Sequence, residues 1–235
     1  MNMRNLILVA LAFSMVAFAQ APSQPGNVST GLAAPGNFAE ADGVYQLRYF
    51  ANLQVADSYI NATNAGTYSG IDPNGRICAN FYGYDPKEEP INCCSCLITP
   101  NGLVSLSLRN DILSSTLTSA PLTLGITVKV LASLPTPVGG TTCNPSAPTP
   151  ATLVRGLKLW AITPHLNTNT TAPNPPGNPV APAYQLTETE FAKAELSPDE
   201  YNKLVGFCRF IQVAASGFGQ CKSCPTVGAQ GADVR

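Results

Sequence analysis

The chain has 235 residues, 13 of them Lys or Arg and 14 Asp or Glu, for a net charge of −1. Charged residues make up 11% of it, against about 25% in average soluble domains, which leaves no basic footprint for nucleic acid or anionic lipid. Beyond the N-terminal segment no apolar run reaches the length a membrane-spanning helix needs, and the single histidine, His165, excludes signatures such as H-E-x-x-H.

Arg4 precedes an apolar run from Leu6 to Phe18, and the run ends in Ala17-Phe18-Ala19, the small-x-small pattern of a signal-peptidase site. A signal peptide over residues 1–19 is therefore predicted, with a mature, secreted chain from Gln20; periplasm, cell surface and medium stay open. Residues 20–42 carry Pro22, Pro25, Gly26, Gly31, Pro35 and Gly36 with few large apolar side chains, the composition of a flexible leader.

From Val44 the pattern becomes that of strands. Tyr45, Leu47, Tyr49 and Ala51 alternate with Gln46, Arg48 and Phe50, the period of a half-buried strand. Further strands are predicted at Ser58–Thr63, Ile77–Tyr84, Asn92–Ile98, Leu103–Leu108, Leu124–Ala132 and Leu157–Ile162. In the sixth, Leu124, Ile126, Val128 and Val130 share a face opposite Thr127 and Lys129. Asp72-Pro73-Asn74-Gly75 and Pro100-Asn101-Gly102 supply turn residues that tolerate positive φ. Short strands with frequent turns predict an antiparallel β-sandwich over residues 43–184. Two Pro-rich stretches, 134–150 and 163–182, are long for structureless loops and read as surface excursions or boundaries.

Residues 185–235 are predicted to form a C-terminal helix and a Cys-rich tail packed on the sandwich. Ser197-Pro198-Asp199-Glu200 is a helix start, with Ser at the cap, Pro at the first helical position and Glu placed to close a capping box. Tyr201, Leu204, Val205, Cys208, Ile211 and Ala215 then fall on one helical face, and Gly217 is the expected terminator.

The eight cysteines are Cys78, Cys93, Cys94, Cys96, Cys143, Cys208, Cys221 and Cys224. In an exported chain they read first as structural disulfides. On a strand Cys94 and Cys96 look one way and Cys93 the other, so their partners must come from elsewhere, and the 105 pairings of eight cysteines stay open. If the tail is stapled to the sheet, the 93–96 cluster and the 208–224 segment lie close in space. A second reading is metal: a C-x-C or C-C pair with a distant C-x-x-C supplies four thiolates for tetrahedral zinc. A third is thiol–disulfide exchange at Cys221-Lys222-Ser223-Cys224, although Pro225 follows where a pKa-lowering helix would have to begin.

Catalytic signals are sparse. No G-x-S-x-G turn faces His165, which reads as a solvated loop residue. Glu88 with Glu89 and Glu188 with Glu190 are acidic pairs of a kind glycosidases use, and equally ordinary surface acids. Asp72-Pro73-Asn74-Gly75 resembles part of a calcium loop but lacks the later acid, so a plain turn is expected. Tyr82 and Tyr84 share a strand face, with Tyr59 and Tyr68 nearby in sequence, and form a candidate sugar-stacking platform. Asn27, Asn61 and Asn169 lie in N-x-S/T sequons. No catalytic residue, cofactor or metal is assigned.

At Asn92-Cys93-Cys94-Ser95-Cys96, Thr99-Pro100-Asn101-Gly102-Leu103-Val104-Ser105-Leu106-Ser107 and Asn110-Asp111, the chain resembles a group of uncharacterised exported bacterial proteins. The block Leu196-Ser197, Glu200, Cys208, Phe210-Ile211-Gln212, Gly217-Phe218-Gly219, Cys221 and Cys224 is similar to that group's ending. The resemblance covers under half of the mature chain and implies bacterial export and a shared fold; it carries no catalytic residues. The functional expectation is a secreted, disulfide-stabilised structural or binding protein of the cell surface or matrix, contacting polysaccharide or copies of itself. The alternative is an exported carbohydrate-active hydrolase, or a thiol or metal protein built on the C-terminal C-x-x-C.

Overall fold

The computed structural model describes residues 43–54, 56–66, 72–113, 125–166, 184–215, 219 and 221–224, all within one compact unit, residues 31–235. The expected signal peptide and leader, Asn27, Tyr68, Leu124, Asn169, most of the second Pro-rich stretch, Gly217 and the residues after Cys224 lie outside them.

Among the described residues the seven expected strands are present: β1 (Tyr45–Ala51), β2 (Tyr59–Asn64), β3 (Ile77–Tyr84), β4 (Pro90–Ile98), β5 (Leu103–Ser107), β6 (Gly125–Ser133) and β7 (Leu157–Leu166). Two more follow, β8 (Tyr184–Glu190) and β9 (Ala192–Lys193), in the stretch read as helix and tail. All pairings are antiparallel, in a five-stranded sheet A of order β4-β3-β6-β1-β9 and a four-stranded sheet B of order β5-β2-β7-β8. The chain crosses between sheets at the Asn101 turn, where φ is +57° and the Gly102 N–H donates to the Thr99 carbonyl. Gly75, at φ +61°, does the equivalent work before β3.

The inward faces supply the sandwich core: Phe50 from β1, Ile60 and Ala62 from β2, Phe81 from β3, Leu106 from β5, Ile126 and Val128 from β6 and Leu159 from β7 are all at most 2% exposed. Helix α1 (Pro198–Ala215) lies on the other face of sheet A. Its Leu204, Cys208 and Ile211 pack with Tyr45, Tyr82, Tyr84, Cys93 and Leu131 in a second apolar layer. The half-buried reading of β1 is corrected by this layer: Tyr45 and Phe50, on opposite faces, are both buried.

Ser197 caps the helix, its Oγ accepting the Glu200 N–H at 3.1 Å. The expected reciprocal bond of the capping box is replaced, because the Glu200 carboxylate turns to the sheet and accepts from Lys129 Nζ (2.6 Å) and the Tyr45 hydroxyl (3.1 Å). The first Pro-rich stretch is a surface strap over this layer. It is tied to β3 by Cys78–Cys143, to Tyr82 through the Pro145 carbonyl (2.7 Å), and to the helix through Tyr201 with Pro148 and Ser146 with Gln212.

Candidate functional site

All eight cysteines are paired: Cys78–Cys143, Cys93–Cys208, Cys94–Cys221 and Cys96–Cys224, with Cα separations of 4.9 to 5.6 Å. The alternation along β4 divides them as its geometry requires. Cys93 faces the helix layer and reaches Cys208, while Cys94 and Cys96 face the sandwich and reach the tail. The strand cluster and the tail do meet. The tail runs along the free edge of β4, where the Ser95 N–H donates to the Gly219 carbonyl (3.0 Å) and the Cys221 N–H to the Ser95 carbonyl (3.2 Å). Asp111, buried in the helical turn Leu108–Leu113, accepts from Ser107 N, Ser223 N and Ser223 Oγ at 2.7 to 2.9 Å.

Tyr82 and Tyr84 do not form an exposed platform. They share a face, as expected, but it is the face that α1 and the strap cover, leaving them 2% and 7% exposed. Burial pushes both phenols well above their ordinary pKa, Tyr84 with the Glu200 carboxylate adding to the effect, and Lys129 Nζ sits 4.5 Å over the Tyr84 ring. Their role here is packing between helix and sheet.

His165 belongs to a strand and not to a loop. Strand β7 continues past Ile162, where β2 stops pairing with it, so Pro164 loses no ladder bond on that side while β8 still pairs on the other. His165 is exposed, its Nε2 2.8 Å from Thr187 Oγ1. Glu88 and Glu89 are exposed in the β3–β4 turn. The Asp72 carboxylate accepts N–H groups of Asn74, Arg76 and Gly139, so its oxygens close a turn and are not arranged as calcium ligands.

The residues that do come together on an open surface are on sheet B. The strand registers align Ser105, Asn61, Trp160 and Glu190 in one row across β5, β2, β7 and β8. The next row is Ser107, Tyr59, Ile162 and Glu188, with Leu186 beyond it on one side and Leu103, Thr63 and Lys158 on the other side of the first. Neighbouring rows are about 7 Å apart, so Tyr59 and Trp160 are diagonal neighbours on adjacent strands. Their intervening partners Ile60, Ala62, Leu159 and Ala161 are buried in the core, which fixes both aromatics on the outer face.

No described element lies over this face. Tyr59 is 42% exposed, Leu103 60% and Leu186 66%, and Trp160 is half-buried. Isolated exposed apolar residues are ordinary, whereas several on one sheet face mark a contact surface. Aromatic rings here are bordered by the amide of Asn61 and the hydroxyl of Ser105, with one cation and two carboxylates toward the margins. Glu188 and Glu190 stand on the exposed edge strand. Such a face can stack apolar ring faces of a ligand and hydrogen-bond its hydroxyls. Sequence reasoning placed Tyr59 only as a neighbour of the wrong platform and passed over Trp160, whose signal was its place in the alternation of β7, on one face with Lys158 and Ile162 and opposite Leu159 and Ala161. No protein-family model, curated protein or solved structure matches the chain.

Proposed function

We propose that the protein is an exported, disulfide-stapled, non-catalytic binding protein whose sheet B face holds a neutral polysaccharide. The observation that carries this reading is the pairing of Tyr59 and Trp160 on the sheet face that no described element covers, in register with Asn61 and Ser105. Export is supported by four disulfides, by the N-terminal Arg4–Ala19 pattern, and by the fact that no helix of the described residues is long and apolar enough to cross a membrane. The low charge suits a ligand without charge of its own.

Trp160 is the chain's single tryptophan, so its fluorescence reports directly on this face. Titration with soluble neutral polysaccharides is expected to shift Trp160 emission and retard the protein in affinity gels. Trp160→Ala and Tyr59→Ala are each expected to weaken binding about tenfold, the equivalent of about 1.4 kcal/mol, in the range of one aromatic contact. Retention of full affinity in the double variant, or no shift across a panel of glucans, xylans, mannans and chitin oligomers, overturns the reading.

A further inference from the structure

Beneath the tail four sulfurs are gathered from two short segments. Cys94 and Cys96 project from the same face of β4, and Cys221 and Cys224 from one turn closed by the Cys224 N–H on the Cys221 carbonyl (3.1 Å). The Sγ atoms of Cys96, Cys221 and Cys224 lie within 4.8 Å of one another, and that of Cys94 is bonded to Cys221. All four residues are at most 7% exposed.

The docking of the tail does not rest on sulfur alone. Ser95 exchanges two backbone bonds with Gly219 and Cys221, its Oγ donates to the Gly219 carbonyl (2.9 Å), and Ser223 donates twice to the buried Asp111. Opening both S–S bonds leaves four thiols on segments that are also joined by hydrogen bonds, which reduction does not itself break.

We propose that the reduced chain binds one zinc ion through Cys94, Cys96, Cys221 and Cys224. C-x-C with C-x-x-C is a spacing that lets two short segments each place two thiolates on a tetrahedral ion, with Zn–S distances of about 2.3 Å. Thiolate softness selects zinc over the hard divalent cations. A dithiol reductant supplies two electrons to each disulfide and is itself oxidised to a disulfide, leaving four thiols. Zinc then displaces four protons and forms a tetrathiolate of charge −2, with Lys222 between the two tail ligands. The oxidised and zinc-bound forms join the same two segments, so the ion takes over the staple wherever the thiols stay reduced. Cys93, on the opposite face of β4, and Cys78, tied to the strap, are outside the cluster. The inference is independent of the sheet B face.

The test uses the full chain, reduced anaerobically, desalted and titrated with cobalt and then zinc. One cobalt per chain is expected, with the intense visible bands of a tetrahedral thiolate site, displaced by one equivalent of zinc. The bands are expected to persist in Cys78→Ala/Cys143→Ala and to be lost in Cys96→Ala and Cys221→Ala. A measurement that needs no variant is alkylation of the reduced, zinc-loaded wild type, where zinc is expected to protect Cys94, Cys96, Cys221 and Cys224 and leave the other four cysteines reactive. Absence of the thiolate bands at equimolar cobalt, or protection of a different set of cysteines, overturns the proposal.

Discussion

On the β8–β9 side of the sandwich the chain itself passes from one sheet to the other: β8 ends on β7 at Glu190, β9 begins on β1 at Ala192, and Phe191 between them turns inward. Its N–H donates to the Leu159 carbonyl of sheet B, and its ring meets Phe50 of sheet A edge-on at 5.9 Å. On the opposite side, between β4 and β5, the gap is closed by a segment more than 100 residues away in sequence, held by Cys94–Cys221 and Cys96–Cys224 at separations of 127 and 128. On the first side β8 and β9 are one residue apart, so pairing β8 with β7 delivers β9 to β1, more than 140 residues back in the sequence, with little further loop to close. A distant tail must offset the entropy of a long loop, and a cross-link does so by restricting the unfolded chain.

Four substitution experiments test that contrast, the first with the largest expected effect. Replacing Cys94, Cys96, Cys221 and Cys224 by Ala should lower the unfolding free energy by about 5 kcal/mol in denaturant titrations, with faster amide exchange along β4 and unchanged exchange in β1 and β9. Because the two bridges interleave and tie nearly the same two points of the chain, removing Cys96–Cys224 alone opens only the small ring it closes beside Cys94–Cys221 and should cost about 2 kcal/mol. Phe191→Ala, on the side without cysteines, should cost about 3–4 kcal/mol, and its exchange should rise in β8 and β9 with all four bridges intact by mass. Asp111→Asn keeps the shape but turns an acceptor into a donor facing the N–H groups of Ser107 or Ser223; a loss of about 2 kcal/mol, confined in exchange to the tail and the 108–113 turn, would show that hydrogen bonds hold the tail beside the sulfurs.

The smallest effect at neutral pH, and the last, acts on the layer that spans both sides. Burial holds the phenols of Tyr45, Tyr82, Tyr84 and Tyr201 above their ordinary pKa of 10.0, with Glu200 adding to the shift at Tyr45 and Tyr84. The folded state binds these protons more tightly than the unfolded chain does, so their contribution is complete below about pH 10 and is lost as pH rises from there through the raised values. Stability measured by chemical denaturation should stay level as it approaches pH 10 from below and fall above it. The three buried tyrosines, Tyr45, Tyr82 and Tyr84, should ionise, by phenolate absorbance, only together with the loss of the helix signal.

Strands β1 to β7, the helix start at Ser197 and the meeting of the cysteine cluster with the tail were legible in the sequence because each rests on local periodicity or on side-chain alternation along one strand. Strand β8 was not, since Thr187-Glu188-Thr189-Glu190 has no apolar face: as an exposed edge strand it buries little of its own. Strand β9 is two residues long and shows no period. The site was the less legible part. Alternation told that Tyr82 and Tyr84 share a face, and the same pattern sets Tyr59 apart from Ile60 and Trp160 apart from Leu159 and Ala161, a signal passed over, but it does not say which sheet face the helix, far along the chain, would cover. That choice is tertiary, made by Cys208 reaching Cys93 and by Glu200 reaching Tyr45 and Lys129.

The spacing of the bridges also sets an order of events during biosynthesis. Cys93, Cys94 and Cys96 emerge from the ribosome or translocon more than 100 residues before Cys208, Cys221 and Cys224, and for that interval the thiols nearest each other are the wrong partners. Native pairing must therefore wait until the tail is delivered, and any early bond within the cluster has to be undone by thiol–disulfide exchange, which a disulfide isomerase speeds. Yield of the native isomer in a host lacking that enzyme would be limited by shuffling at residues 93 to 96, whereas Cys78–Cys143, complete once residue 143 has emerged, could form while the chain is still being made.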